Sequence, residues 1–213
     1  MTSDIWMPED HIPVEVRDML SEPSPNYVIM FLNIVELLKV QRRTGWVDYD
    51  ISPCESISDH MYRMSVTCML LKDTSINKEK CVRIALVHDL AEALVGDITP
   101  FDAVTKEEKH RREWETIKYL CGNFISKYNE EAATEIKRDW LSYENLDCPE
   151  ARYVKDIDKF EMLMQCFEYE RRHKGEKKLD QFWSIVDAIQ TTEVGAWVKD
   201  LYARRNSFFE SLE

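Results

Sequence analysis

Val87-His88-Asp89-Leu90-Ala91-Glu92-Ala93-Leu94-Val95-Gly96-Asp97 is the stretch that decides the fold. Almost every residue from 81 to 95 is apolar, so a helix here is hydrophobic nearly all round. Such a helix is typical of the centre of an all-helical protein, and we predict an all-α fold. Beyond Arg83 near its start, the run contains three polar groups, namely His88, Asp89 and Glu92.

These groups need a compensating positive charge, because an ionised carboxylate is costly to bury without a partner. No Lys or Arg lies between Arg83 and Lys106, and imidazole and carboxylate groups suit borderline and hard divalent cations. The sequence therefore predicts a metal site here, with Gly96 ending the helix and Asp97 turned back towards it. The alternatives are charged residues at the rim of an ordinary helix and, for His88 alone, a hydrogen-bonded core histidine.

A second histidine lies one predicted helix earlier in the chain. Ser58 is typical of a helix N-cap, and this helix is predicted to run to about Leu71. His60 shares one face of the helix with Met64 and therefore points inward. Alone it is more often a core histidine than a ligand, but beside His88 it becomes the natural third ligand.

A later helix, predicted over residues 151–172, contributes an acidic candidate. Asp156 and Asp158 flank Ile157, and both lie about 100° from the centre of the apolar stripe. Periodicity leaves the choice between them open. One can complete a metal site, and the other is then an ordinary surface acid.

Two basic segments are candidates for binding an anion. Arg42 and Arg43 lie just after the first core helix, which is predicted over Tyr27–Val40, and Trp46 follows them. They form either a solvated helix end favoured by the helix dipole or an anion clamp with an aromatic wall. The charged run at residues 106–113 is predicted to be mostly a solvated helix face, from which one or two basic groups can reach an anion.

Composition limits the domain organisation and the classes of partner. The 213 residues suit one domain, predicted over residues 27–213, preceded by an arm at residues 1–26. The formal net charge of -12 argues against nucleic-acid polymers and anionic membranes as partners. Six cysteines without a Cys-x-x-Cys pair are typical of a cytoplasmic protein, with the nucleus not excluded. We expect neither a secretory signal peptide nor a membrane-spanning segment.

Four stretches together carry a lone His, a His-Asp doublet and a distant Asp on separate predicted helices. They are Glu55-Ser56-Ile57-Ser58-Asp59-His60, Ala85-Leu86-Val87-His88-Asp89-Leu90-Ala91-Glu92 with Gly96-Asp97-Ile98, Glu107-Glu108-Lys109-His110-Arg111-Arg112-Glu113, and Val154-Lys155-Asp156-Ile157-Asp158. In these stretches the chain resembles the HD-domain superfamily of metal-dependent phosphohydrolases, and within it the HD-domain-containing 5'-deoxynucleotidases. The resemblance extends from about residue 27 to residue 173 and implies an all-α, HD-domain helical bundle.

The resemblance also implies roles for individual residues. The ligands of the first metal ion, which is Mn, Co, Mg, Fe or Zn, are His60, His88, Asp89 and Asp158. The choice left open by periodicity is thereby made in favour of Asp158. The implied catalytic residues, which can also hold a second ion or orient a water, are Glu92 and Asp97.

Arg43 matches a substrate-contacting arginine of the family. Bacterial members carry a Trp directly after it, whereas this chain has Thr44 there and places Trp46 later, so Trp46 is the candidate aromatic residue beside the substrate. The implied reaction is hydrolysis of a small-molecule nucleotide, a deoxyribonucleoside 5'-monophosphate of any of several bases. A homodimer is implied as well, and the aromatic C-terminal segment suits such an interface.

Two other functions remain alternatives at the level of sequence. One is an HD-type phosphodiesterase or nucleoside polyphosphate hydrolase. The other, from a different class, is a non-catalytic, metal-stabilised interaction scaffold. The carboxylates Glu92 and Asp97 count against the scaffold, because a filled structural metal site has no need of further acids beside it.

Overall fold

The computed structural model describes residues 5–212, and their regular structure is helical. No β-strand occurs within this range, although Arg42 and Ser56 form an isolated antiparallel bridge. The α-helices, in chain order, are α1 Val14–Leu20, α2 Tyr27–Val40, α3 Thr44–Val47, α4 Ile57–Met69, α5 Lys78–Val87, α6 Glu92–Val95, α7 Lys106–Leu120, α8 Ser126–Tyr128, α9 Glu130–Asn145, α10 Pro149–Arg172 and α11 Thr192–Glu210. Two 3-10 helices, Pro8–His11 and Asp180–Ala188, and a π-helix, Cys121–Ile125, complete the set. The predicted all-α class is confirmed.

The helices fall into two compact units. Among the described residues, the first unit comprises 5–59 with Val87–Leu141, and the second comprises His60–Leu86 with 142–212. A single domain over residues 27–213 stays a prediction. No helix in the described range is long and apolar enough to cross a membrane.

The core of the first unit forms around α2, whose bounds agree with the sequence prediction. Helix α2 packs against α6 and the π-helix, and α6 in turn packs against α7. The buried face of α2 carries Met30, Ile34 and Leu38. These contacts bring the end of α2, the start of α6 and the first turns of α7 together, which are the elements that bear the charged candidates.

The N-terminal arm is part of the first unit and packs within it. Helix α1 lies in this arm, and the preceding 3-10 helix contacts both α6 and α7. The ring of Trp6 stacks on His11 at 4.8 Å between centroids, and Arg112 lies 5.8 Å over the same indole. Arg111 donates a hydrogen bond to the carbonyl of Trp6 at 3.2 Å. The arm therefore braces the N-terminal half of α7.

The prediction of one continuous helix through the apolar run is wrong. Helix α5 ends at Val87, residues 88–91 form turns, and α6 begins at Glu92. In the turns, the amides of Leu90 and Glu92 bond to carbonyls three residues earlier rather than four. Gly96 ends α6 with a φ of 84°, as the sequence predicted, because that conformation disfavours residues with a Cβ.

Helix α4 begins two residues earlier than Ser58 would place it. The hydroxyl of Ser56 accepts the amide N–H of Asp59 at 3.1 Å, and the carboxylate of Asp59 accepts the amide N–H of Ser56 at 2.9 Å. This reciprocal pair is a capping box, so Ser56 is the N-cap and the prediction of Ser58 is wrong. The inward orientation predicted for His60 is confirmed, since its side chain is fully buried.

The second unit is built on α10, which packs against α11 and against the 3-10 helix at Asp180–Ala188. Arg205 of α11 donates two hydrogen bonds, at 2.7 and 2.6 Å, to the buried carboxylate of Glu170 on α10. The aromatic residues of the C-terminal segment make ring contacts inside this unit, in the pairs Phe160–Trp197, Trp183–Tyr202 and Phe167–Phe208. These contacts give most of the aromatic segment a packing role within the chain.

Candidate active-site residues

The turns that follow α5 bring the His-Asp doublet close together. Nε2 of His88 lies 3.1 Å from Oδ2 of Asp89, although adjacent side chains on a regular helix would point about 100° apart. Arg43, the N-cap of α3, lies 3.4 Å from Asp89 and 3.7 Å from Asp97 through the same nitrogen, Nη1. The amide of Thr44 donates a 2.7 Å hydrogen bond to the other oxygen of Asp97. The first unit thus gathers both Asp residues around Arg43.

Glu92 is the most deeply buried acid of this cluster, with 3% of its surface exposed. Burial raises the pKa of Glu92 well above its usual range, the charges of Asp89 and Asp97 raise it further, and Arg43 and Lys109 oppose the rise. Its Oε2 atom is buried and makes no hydrogen bond within residues 5–212. The cluster therefore has room for additional positive charge beside a carboxylate.

Lys109 of α7 is a member of this cluster that no individual sequence signal identified. Its ammonium lies 3.6 Å from Glu92 and 3.6 Å from Glu113, and it donates a 2.8 Å hydrogen bond to the carbonyl of Ile98. Burial alone would lower the pKa of Lys109, but the nearby carboxylates raise it, so the ammonium stays charged. The sequence indicated that a basic group from residues 106–113 can reach an anion, but not which one.

In the second unit, His60 of α4 meets Asp158 of α10. Nε2 of the buried His60 lies 3.3 Å from Oδ1 of Asp158. The hydroxyl of Tyr143 donates a 2.5 Å hydrogen bond to Oδ2 of the same carboxylate, and Lys155 lies 4.0 Å over the tyrosine ring. Tyr143 thus fixes one oxygen of Asp158 and leaves the other facing the imidazole.

The opposite edge of the His60 ring contacts a buried carboxylate that the sequence analysis missed. Nδ1 of His60 hydrogen bonds to Oε2 of Glu161, and Arg63 donates a 2.7 Å hydrogen bond to Oε1 of Glu161. Burial alone would raise the pKa of Glu161, but the hydrogen bond to His60 and the charge and hydrogen bond of Arg63 bring it below its usual value. An i, i+3 spacing from Asp158 was the available signal.

Asp156 is not the surface acid that the sequence analysis expected for the aspartate outside the metal site. It is 1% exposed, and its Oδ2 accepts the amide N–H groups of Gln190 and Thr191 at 2.9 and 2.7 Å. Because Thr191 is the N-cap of α11, Asp156 stabilises the start of that helix.

Trp46 lies in α3 with 2% of its surface exposed. Its indole N–H donates a 2.9 Å hydrogen bond to Glu55. The substrate role expected for Trp46 stays a prediction, and this burial favours a role in packing. Arg43, by contrast, keeps 17% of its side chain exposed beside the acids.

In each of the two His-Asp pairs, taken separately, the spacing of the donor atoms fits a divalent metal ion. Two ligand atoms about 2.1 Å from one ion and at right angles to each other lie about 3 Å apart. The distances within the His60–Asp158 and His88–Asp89 pairs, 3.3 and 3.1 Å, agree with this value. Nitrogen and carboxylate oxygen also form the donor set that Mn, Fe, Co, Zn and Mg ions accept.

Comparison with known proteins connects this geometry to a family. The family model for the HD domain matches residues 35–197. The 5'-deoxynucleotidase YBR242W of Saccharomyces cerevisiae is 61% identical over 207 residues, which are 97% of this chain and 87% of that protein. Human 5'-deoxynucleotidase HDDC2 is 42% identical over 181 residues, covering 84% of this chain and 87% of its own.

A solved structure gives the same result at the level of the fold. The structure of the HD domain-containing protein YGK1 has a TM-score of 0.76 and 48% sequence identity to this chain, covering 96% of this chain and 99% of its own. The match of the family model over most of the chain, with these relatives, shows that the chain belongs to the HD domain family.

Proposed function

We propose that this protein is a metal-dependent 5'-deoxynucleotidase that hydrolyses deoxyribonucleoside 5'-monophosphates of several bases to deoxynucleoside and phosphate. The main structural support is the acid cluster of the first unit. Its carboxylates are those of Asp89, Glu92 and Asp97, and the cations that face them are Arg43 and Lys109. Relatives that carry the name 5'-deoxynucleotidase over 84–98% of this chain support the same reaction. They favour it over a phosphodiesterase, a polyphosphate hydrolase and a non-catalytic scaffold.

The metal ligands in this proposal are His60, His88, Asp89 and Asp158. Membership of a family of metal-dependent phosphohydrolases implies a divalent ion, and Mn, Co, Mg, Fe and Zn are the candidates. When bound, the ion supplies a Lewis acid that neutralises phosphate charge and polarises the phosphorus centre. Glu92 and Asp97 are the proposed residues for a second ion.

The chain's own residues perform the remaining tasks of the reaction. Arg43 binds oxygens of the phosphate or the sugar through its guanidinium, which donates several hydrogen bonds from one plane. Glu92 or Asp97 orients the attacking water and takes its proton as a general base. The P–O5' bond breaks as the new P–O bond forms. The departing 5'-oxygen takes up one proton, which balances the proton that the general base removed from the water.

We also propose a homodimer in the cytoplasm. The exposed face of α4 carries an apolar stripe, Tyr62, Val66 and Met69, at i, i+4 and i+7, which supports an interface on the second unit. All six cysteines are free thiols, as a reducing compartment requires.

Phosphate release from a panel of substrates tests the proposed reaction. The panel contains deoxyribo- and ribonucleoside 5'-monophosphates and a cyclic dinucleotide, with chelator and then with each metal restored. The proposal requires metal-dependent phosphate release from the deoxyribonucleoside monophosphates. The His88→Ala/Asp89→Ala variant, assayed at the same enzyme concentration, is expected to release none. Release from the cyclic dinucleotide instead would identify a phosphodiesterase, and no release from any substrate would favour the scaffold.

A further inference from the structure

We propose that Glu161 is a positioning residue, which fixes the ring orientation and the tautomer of His60 so that Nε2 is the atom presented to the metal ion. This inference rests on the assignment of His60 as a ligand in the proposed function. It adds a residue that acts through His60 and does not touch the substrate.

The hydrogen bond between His60 and Glu161 determines which ring nitrogen carries the proton. An ionised carboxylate can only accept, so Nδ1 of His60 must be the donor to Oε2 of Glu161. The lone pair of a neutral ring is then on Nε2. This atom lies 3.3 Å from Oδ1 of Asp158, which is also an acceptor, so the pair is arranged to share a cation.

Glu161 is itself held in place by a network that extends away from the ring. Arg63 donates to Oε1 of Glu161 at 2.7 Å, and its two terminal nitrogens donate to Gln165 at 2.7 Å and to Glu168 at 2.8 Å. Glu161 is 1% exposed, whereas Glu168 and Arg63 are about one third exposed. The network therefore connects a surface pair to a buried carboxylate that contacts His60.

The same spacing occurs on both helices that build this arrangement. On α4, Arg63 follows His60 by three residues, and on α10, Glu161 follows Asp158 by three residues. Side chains three apart lie on the same helix face one turn from each other. Each helix thus supplies one candidate ligand and, one turn later, one residue that orients a ligand.

A purely structural role for Glu161 would predict a loss of stability without a change in metal affinity. A positioning role predicts weaker metal binding, since changes in residues that hydrogen bond to a metal-bound histidine commonly cost about 10-fold to 100-fold in affinity. The two roles are therefore separated by measuring the metal dissociation constant and the thermal midpoint of the metal-free protein on the same samples.

The experiment compares four variants of the full chain with the original protein: Glu161→Gln, Arg63→Gln, Glu168→Gln and His60→Ala. Chelator-treated samples are titrated with Mn²⁺ by calorimetry. We expect Glu161→Gln to raise the dissociation constant about 10-fold to 100-fold. We expect Arg63→Gln to raise it less, and the matched control Glu168→Gln to leave it within about threefold, because Glu168 contacts only the outer end of the network. Should Glu161→Gln fail to fold, Arg63→Gln carries the test.

The variant His60→Ala separates failure of this inference from failure of the proposed site. If His60→Ala binds Mn²⁺ with the affinity of the original protein, the assignment of His60 as a ligand is wrong. The positioning role of Glu161 is then wrong as well. If His60→Ala loses binding while Glu161→Gln and Arg63→Gln keep the original affinity, His60 is a ligand and the positioning role of Glu161 is overturned.

Discussion

Asp156 and Asp158 lie two residues apart on α10 and have different surroundings. Asp158 faces His60 and accepts a hydrogen bond from Tyr143, whereas Asp156 binds two backbone amides at the start of α11. Periodicity could not choose between them, because both flank the apolar stripe symmetrically. The family resemblance chose Asp158, and the different partners of the two side chains support that choice.

These two residues give a matched pair of substitutions at the residue scale. We expect Asp158→Asn to lower metal-dependent phosphate release more than about 100-fold, because altering groups that only orient a ligand already costs about 10-fold to 100-fold. We expect Asp156→Asn to keep activity within about threefold and to lower the free energy of unfolding by about 1–2 kcal/mol, since it weakens a helix cap. Phosphate assays and chemical denaturation measure both effects. The opposite ranking in activity would refute the assignment of Asp158.

Other residues show why part of the site could not be predicted from sequence patterns. His60, His88 and Asp89 stand out because polar groups are rare at apolar helical positions. Lys109 and Glu161 do not, because each resembles an ordinary charge on an amphipathic helix until its partner is known. Their roles depend on contacts with residues 17 and 101 positions away, Glu92 and His60.

At the scale of elements, the break between α5 and α6 is the main departure from prediction. An apolar run without Pro or internal Gly gave no reason to end the helix at Val87. The pattern of apolar residues indicates which positions are buried, and positions are buried to a similar degree in the helix and in the turns that follow it. The pattern therefore does not indicate where the helix ends. The turns bring His88 and Asp89 within 3.1 Å of each other, so the departure occurs at the candidate site.

Helix α7 contributes to the site through Lys109, and this role leads to a test. We expect Lys109→Met to lower kcat about 10-fold to 100-fold, because the ammonium forms an ion pair with Glu92 at 3.6 Å and is held by its hydrogen bond to the carbonyl of Ile98. A hydrogen bond from a charged group contributes about 1.5–3 kcal/mol. Lys118→Met is the matched control, since Lys118 is on the same helix and pairs with Glu115 at the surface. Steady-state kinetics on a deoxynucleoside monophosphate measure both variants. Equal activity of the two would remove Lys109 from the catalytic cluster.

At the scale of the whole molecule, the sequence was sufficient for the fold class and the family. Helical periodicity predicted an all-α protein, and the bounds of α2 agree with the prediction. The predicted start of α4 was wrong by two residues. Both Ser56 and Ser58 are good N-cap residues, and only the reciprocal hydrogen bonds with Asp59 identify Ser56 as the cap. The arrangement into two units has no local sequence signal.

The proposed dimer is also a property of the whole molecule. We expect light scattering at micromolar concentration to give the mass of two chains. Met69→Glu, in the exposed stripe of α4, is expected to shift the mass towards one chain, because a charge in an apolar interface is costly to desolvate. Phe101→Glu is the control, an exposed apolar residue of the first unit. A mass of one chain for the original protein would refute the dimer.

The most direct test of the central claim is a metal titration in which bound metal and deoxynucleotide hydrolysis are measured on the same sample. Chelator-treated protein receives increasing Mn²⁺, and bound ion and phosphate released from a deoxynucleoside 5'-monophosphate are recorded at each step. We predict that hydrolysis rises in proportion to bound ion and stops rising when the site is filled, and that His88→Ala/Asp89→Ala shows neither binding nor release. Full hydrolytic activity in protein without bound ion would contradict this prediction. Full occupancy of the site without hydrolysis would contradict it as well.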